Sequence, residues 1–168
     1  MIGLGATALA LAPGMRVLAA ERPRELRLLH THTGERAAVT YYDGGRYLDD
    51  GLDELNRLLR DFRTGDVAPI DPALFDVLHG VQDLSGSSGT FEIISGYRSP
   101  ATNEALRQAG RGVVKNSQHT LGKAIDVRLT DLDTARLRDA GIALGRGGVG
   151  YYSSSDFVHF DTGRVRRW

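Results

Sequence analysis

The sequence predicts a single α+β domain, with helices from the N-terminal half packed on a small, mainly antiparallel sheet. Apolar residues recur at helical spacing over residues 49–63 and again after Asp71, whereas residues 124–129 and 157–161 alternate between apolar and polar. Glycine, 21 residues in all, clusters after residue 85, as expected for turns between short strands. The 168 residues, 41% hydrophobic and 25% charged, suffice for one core and are too few for two full domains. Basic and acidic residues number 21 each, so no electrostatic footprint for nucleic acid or an anionic membrane is visible.

Residues 1–20, "MIGLGATALALAPGMRVLAA", hold an apolar run from Ile2 to Ala12, a Pro-Gly break, and small residues at Ala19 and Ala20. That pattern reads as a secretory signal rather than a spanning helix. No Lys or Arg precedes the run, so a basic segment upstream of Met1 is expected. Residues 21–168 are then the exported domain, with membrane attachment only if the apolar segment stays uncleaved. The chain has no cysteine, hence no disulfide to form outside the cell.

Residues 25–47 read as strands and turns, with Thr33-Gly34-Glu35 and Asp43-Gly44-Gly45 as turn signals. A helix over 49–63 aligns Leu52, Leu55, Leu58, Leu59 and Phe62, opens on acidic residues and stops before Gly65. The next helix has Asp71 as its cap and Pro72 in the first position, where a missing N–H costs nothing; it buries Leu74, Phe75, Leu78 and Val81. Residues 91–98 form a strand. Ser99-Pro100 repeats the cap-plus-proline signature for a third helix, which Gly110 stops. Residues 111–123 are loop, and the strand at 124–129 puts Ile125, Val127 and Leu129 on one face and Ala124, Asp126 and Arg128 on the other. A fourth helix covers 132–144, and residues 147–163 form a hairpin joined by the serines at 153–155.

Lack of cysteine excludes a thiolate nucleophile and a cysteine-bound zinc, and no G-x-S-x-G elbow is present. Histidine and aspartate remain. His119 and Asp126 flank Gly122, which lets the backbone turn so that both side chains can aim at one point. Ala124 leaves room beside Asp126. His159 shares the polar face of its strand with Phe157 and Asp161 and is the natural third ligand, with a buried structural histidine as the alternative. Two His and one Asp leave the fourth zinc position open, the arrangement of a catalytic site. His30 and His32, two apart, are read as a solvated strand face rather than a second metal pair, and His79 as a helix-surface or packing residue.

The pattern Ser117-x-His119-x-x-Gly122-x-Ala124-x-Asp126, with a later strand carrying His159, resembles the zinc peptidases of the M15 (LAS, D-Ala-D-Ala carboxypeptidase-like) superfamily. With "SGYRSP" at 95–100 and "GGVGYYSSSDFVHFDTGRVRRW" at 147–168, the chain is similar to the YcbK-like branch, the MepK-like murein endopeptidases. The resemblance runs over residues 26–168 and includes "HTHTGE". It implies a hedgehog/D-Ala-D-Ala peptidase-like fold and one Zn2+ per chain on His119, Asp126 and His159. It also implies that Arg98 binds substrate and stabilises negative charge on the scissile carbonyl, while Ser117 holds the His119 loop. For the general base it points to the acid three residues before the last histidine, Asp156. A regular strand puts such positions on opposite faces, so Asp156 needs a turn or bulge at 155–157; Asp161 faces the His159 side without one. Asp156 is the preferred reading. The implied protein is a monomeric periplasmic zinc peptidase cutting peptide cross-links of peptidoglycan. The alternatives are a D,D- or L,D-carboxypeptidase or dipeptidase on stem peptides, and a non-catalytic zinc-bearing cell-wall-binding module.

Overall fold

The computed structural model describes residues 22–168, so the apolar segment at 1–20 lies outside the described residues. Eight strands form one sheet: β1 (Arg24–His30), β2 (Arg36–Asp43), β3 (Arg46–Tyr47), β4 (Phe91–Ser95), β5 (Ala124–Leu129), β6 (Gly148–Tyr152), β7 (Phe157–Asp161) and β8 (Arg166–Arg167). Their order is β3-β2-β1-β4-β5-β7-β6-β8. Neighbours are antiparallel except β1 with β4 and β6 with β8. The parallel β1–β4 pair requires a crossover, and the helices α1 (Asp49–Leu58) and α2 (Pro72–Ser85) provide it. Two further helices, α3 (Pro100–Gln108) and α4 (Thr134–Leu144), complete an α+β domain. The sheet is mainly antiparallel, as the sequence predicts, and gains one strand that the sequence did not announce, β8, whose two residues are too few to show a period.

Helix boundaries follow local chemistry. The Asp71 carboxylate accepts from Ala73 N–H, Pro72 opens α2, and Gly86 ends it in the left-handed region at φ 66°. The fourth helix starts at Thr134 rather than at 132, because Asp133 is its cap and Leu132 bridges to Leu129. The first helix stops at Leu58, short of the expected 63. Asp61 is the reason: its carboxylate accepts from Arg63 N–H at 3.0 Å and Ser99 N–H at 2.9 Å, and its own N–H turns to Asp66 O. A side chain that binds nearby backbone groups competes with helix continuation. Phe62 therefore leaves the helical stripe and stacks on His32, with ring centroids 4.3 Å apart.

One sheet face buries Leu26, Leu28, Phe91, Ile93, Ile125, Val127, Val158 and Phe160 against Leu74, Phe75, Leu78, Val81 and Leu137 of the helices. Each such side chain contributes about 1.5–3 kcal/mol on leaving water. The alternation that fills this core presents Asp126, His159 and Asp161 on the opposite face of β5 and β7. The register sets Asp126 opposite His159, and His159 opposite Gly150.

Candidate metal centre

His119 reaches this face from a 3-10 turn at Gln118–Leu121. Ser117 starts the turn, its Oγ accepting from His119 N–H at 3.3 Å, and Gly122 closes it in the left-handed region at φ 65°. A Cβ at Gly122 would stand 2.2 Å from Pro69 O, so the turn needs glycine on both counts. His119 donates from Nδ1 to Gly96 O at 2.8 Å, which turns Nε2 inward, 3.3 Å from Asp126 Oδ1 and 3.3 Å from His159 Nδ1. His159 donates from Nε2 to Asp161 Oδ2 at 3.0 Å, and its Nδ1 lies 2.8 Å from Asp126 Oδ1.

A carbonyl and a carboxylate accept only, so the outer nitrogen of each ring carries a proton and the inner one is free to present its lone pair to a metal. Two imidazole nitrogens and a carboxylate oxygen then face one another, all within 4.8 Å. Without a metal, a proton on His159 Nδ1 binds Asp126 at 2.8 Å, and a divalent cation would take that proton's place. Two imidazoles, each with an outer hydrogen bond fixing its orientation, and a carboxylate between them fit a divalent metal ion. Among the described residues this is the one group of three that could hold a metal. All three side chains are buried. Burial pushes the Asp126 pKa up, but His119 and His159 outweigh it and hold the carboxyl well below the usual range. Burial pulls His159 down, yet Asp126 and Asp161 push it to about 8.

The cluster opens into a cleft of about 430 Å³. Arg98, 9% exposed, lines one side of it. Its guanidinium is loosely held: Nη1 is 3.4 Å from Asn103 Oδ1, Nη2 is 3.4 Å from Ser95 Oγ, and Nε is buried without a partner. The backbone beneath it is pinned, with Tyr97 N–H on Leu59 O, Arg98 N–H on His119 O and Ser99 N–H on Asp61. Trp168, Tyr152 and Phe157 line the cleft as well.

The two candidate bases differ sharply. Asp161 is fully buried, and its oxygens accept from Gly148 and Gly163 N–H, from both Arg166 Nη atoms and from His159. Burial raises its pKa, but His159 and Arg166 outweigh that and leave it well below the usual range. Asp156 follows a 3-10 turn at Ser153–Ser155 and sits at φ 51°, the one non-glycine positive φ among the described residues. Its carboxylate accepts from Thr134 Oγ1 at 2.8 Å and Arg128 Nη1 at 3.4 Å, and it does not line the cleft. The chain thus turns at 155–157, while the Asp156 side chain rests on the start of α4.

The family described as peptidoglycan L,D-endopeptidase MepK matches residues 18–168. The chain belongs to this family of M15 peptidases. Peptidoglycan L,D-endopeptidase MepK of Escherichia coli (strain K12) is 42% identical over 172 residues, covering 100% of this chain and 94% of that protein. Probable peptidoglycan L,D-endopeptidase MepK of Haemophilus influenzae is 38% identical over 155 residues, 92% of this chain and 83% of that protein. Among solved structures, the L-Ala D-Glu endopeptidase ChiX of Serratia marcescens matches with a TM-score of 0.42 at 21% identity, over 55% of this chain and 80% of that one.

Within this M15 chain the structure brings His119, Asp126, His159, Arg98 and Asp161 to one place and leaves Asp156 aside. His30 and His32 pack on Phe62 instead, with His30 buried and its pKa lowered first by that burial. His79 pairs with Asp83 along α2 at 3.3 Å. Sequence reasoning missed the Gly96 carbonyl, the Arg166 clamp on Asp161, and Trp168. Arg166 and Trp168 sit in and after a two-residue strand, too short to show a period. The Gly96 carbonyl is a backbone group, which no residue type announces.

Proposed function

We propose that the chain is an exported zinc-dependent endopeptidase that hydrolyses peptide cross-links of peptidoglycan, including the L,D bonds for which its relatives are named. One observation carries this reading: two buried histidines and a buried aspartate converge at the floor of a cleft that an under-bonded arginine lines. His119, Asp126 and His159 would hold the zinc. Bound there, zinc supplies a Lewis acid and lowers the pKa of water to about 7.

The remaining steps belong to the chain's own residues. Arg98, permanently charged and forked, stabilises the negative charge that develops on the scissile carbonyl oxygen. Asp161 keeps His159 in the tautomer that directs Nδ1 inward; with its lone pairs already taken, it is a poor proton acceptor. Proton transfer therefore falls to Asp156. Released from Thr134, it takes the proton of the attacking water and returns it to the leaving amine. Export rests on residues 1–20; among the described residues no helix is long and apolar enough to cross a membrane.

Muropeptide profiling of digested sacculi tests the reading. Cross-linked dimers should fall and monomers rise with the zinc-loaded protein, and not with His119→Ala. A second reading, a non-catalytic cell-wall-binding module, draws on the Asp156 carboxylate being bonded away from the cluster. Zinc-loaded protein that binds sacculi and leaves the profile unchanged would establish it. Shortened stem peptides with dimers untouched would instead mark a carboxypeptidase or dipeptidase.

A further inference from the structure

Asp161 fixes the His159 ring, and Asp161 has to be fixed in turn. Its carboxylate is fully buried and does not line the cleft. On Oδ1 it accepts from Gly148 N–H at 3.3 Å, Gly163 N–H at 2.8 Å and Arg166 Nη1 at 3.0 Å. On Oδ2 it accepts from Arg166 Nη2 at 2.7 Å and His159 Nε2 at 3.0 Å. Of these donors only Arg166 holds both oxygens. A two-pronged guanidinium sets the plane of a carboxylate as well as its position, which a single backbone N–H does not. The oxygen it holds more closely is the one that receives His159.

The chain is shaped around this ion pair. Parallel pairing of β8 with β6 sets Arg166 beside Gly148, and the β6–β7 register sets the same Gly148 opposite Asp161. A Cβ at Gly148 would run into Asp161 Oδ2 and stand 2.6 Å from Arg166 Nη1. One at Gly163 would stand 2.9 Å from Asp161 Oδ1. Glycine at both places keeps clear the space that the pair fills. Trp168, two residues on, continues from β8: its N–H donates to Val149 O at 3.2 Å and its carbonyl accepts from Tyr151 N–H at 3.0 Å. Its indole lies 4.8 Å from the Arg166 guanidinium and 5.3 Å from the His159 ring, measured to ring centroids. One segment thus clamps the aspartate behind His159 and covers the ring itself.

Arg166 also lines the cleft, which raises the alternative that it binds a ligand there. Its bonds argue otherwise. Both Nη atoms are committed to Asp161, and Nη1 reaches Arg164 O at 3.2 Å as well. Arg98, by contrast, has only 3.4 Å contacts from its Nη atoms and a buried Nε without a partner. Turning Arg166 toward a ligand would strand a buried carboxylate without its cation, a costly exchange.

Resting on the metal site of the function proposed above, and on no other part of it, we propose that Arg166 is a positioning residue for the metal centre. It acts through two side chains: its fork fixes the Asp161 carboxylate, and that carboxylate fixes His159 with Nδ1 inward. The last strand, β8, is therefore part of the metal site although it supplies no ligand.

A double-mutant cycle on the full chain tests this, with Zn2+ affinity read by competition with a chromophoric chelator. Arg166→Met keeps an apolar stem beside the indole and removes the fork. It should bind Zn2+ about tenfold more weakly, the lower end of what an outer partner of a metal-bound histidine contributes. Arg166→Lys restores the charge without the two-pronged geometry and should recover part of that loss. In the Asp161→Asn background Arg166→Met should cost little more, because the path it acts through is already gone. Wild-type affinity in Arg166→Met overturns the proposal. So does an equal loss repeated in the Asp161→Asn background, which would mark a general loosening of the fold. A raised KM at wild-type Zn2+ affinity overturns it too, and makes Arg166 a ligand-binding residue. Should Arg166→Met fail to fold, Arg166→Lys carries the same cycle under the same criteria. A wild-type chain that takes up no Zn2+ is a distinct result: the zinc reading fails, and this proposal with it.

Discussion

At His159 two carboxylates hold one ring: Asp161 accepts from Nε2 and Asp126 lies against Nδ1. The ring's direction therefore depends on an aspartate that touches no part of the cleft. Asp161→Asn keeps the shape but can present an amide N–H to Nε2, favouring the tautomer that points a proton inward. Loss of such an outer partner typically costs 10–100-fold in metal affinity. Competition with a chromophoric chelator should show a fall of about that size, in a protein whose circular dichroism is unchanged. Asp156→Ala should do the reverse, abolishing turnover while metal affinity stays at the wild-type value. The convergence of His119, Asp126 and His159 was legible because strand alternation puts polar residues on one face and Gly122 announces the turn. Where the Asp156 carboxylate points was not legible, since that depends on the rotamer of a single exposed side chain just before β7.

At the scale of elements, the site is held by connections between segments distant in sequence. Gly96 is the joint: its carbonyl orients His119, and a Cβ there would stand 2.6 Å from Leu59 O. Gly96→Ala should push the β4–α3 loop off Leu59, turning His119 and displacing Arg98 together; weaker metal binding and lower kcat/KM in one variant would report it. Asp61 secures the same loop through Ser99. Burial raises the Asp61 pKa, but hydrogen bonds from Thr102, Ser99 and Arg63 outweigh it and leave it below the usual carboxylate range. A depressed carboxylate stabilises the fold fully above its unfolded value, and that contribution fades as pH falls through the lower folded one. Asp61→Asn should thus be less stable at pH 7 by about 1–3 kcal/mol. Urea midpoints should show the gap to wild type narrowing toward pH 3. The same residue explains why the periodicity at 49–63 overstated α1. Leucine spacing reports a face that can be buried, whereas Asp61 ends the helix by bonding to Arg63 nearby and to Ser99, 38 positions away, and hydrophobic periodicity registers neither bond.

For the molecule as a whole, the core and the cluster occupy opposite faces of β5 and β7, so metal binding and folding are coupled through the same two strands. The unfolded chain does not hold His119, Asp126 and His159 together, and an ion that binds only the folded state stabilises it by RT ln(1 + [L]/Kd). At a hundredfold excess over Kd this is about 2.7 kcal/mol. In a domain of 150–250 residues each kcal/mol shifts Tm by about 2–4 °C. Chelation should therefore lower Tm by about 5–11 °C, and added Zn2+ should restore it. His159→Ala, lacking one partner for the ion, should melt at nearly the same temperature with and without chelator. Equal Tm values for the wild-type chain under both conditions would mean that the cluster holds no tightly bound metal, and the zinc-dependent reading would fall with it.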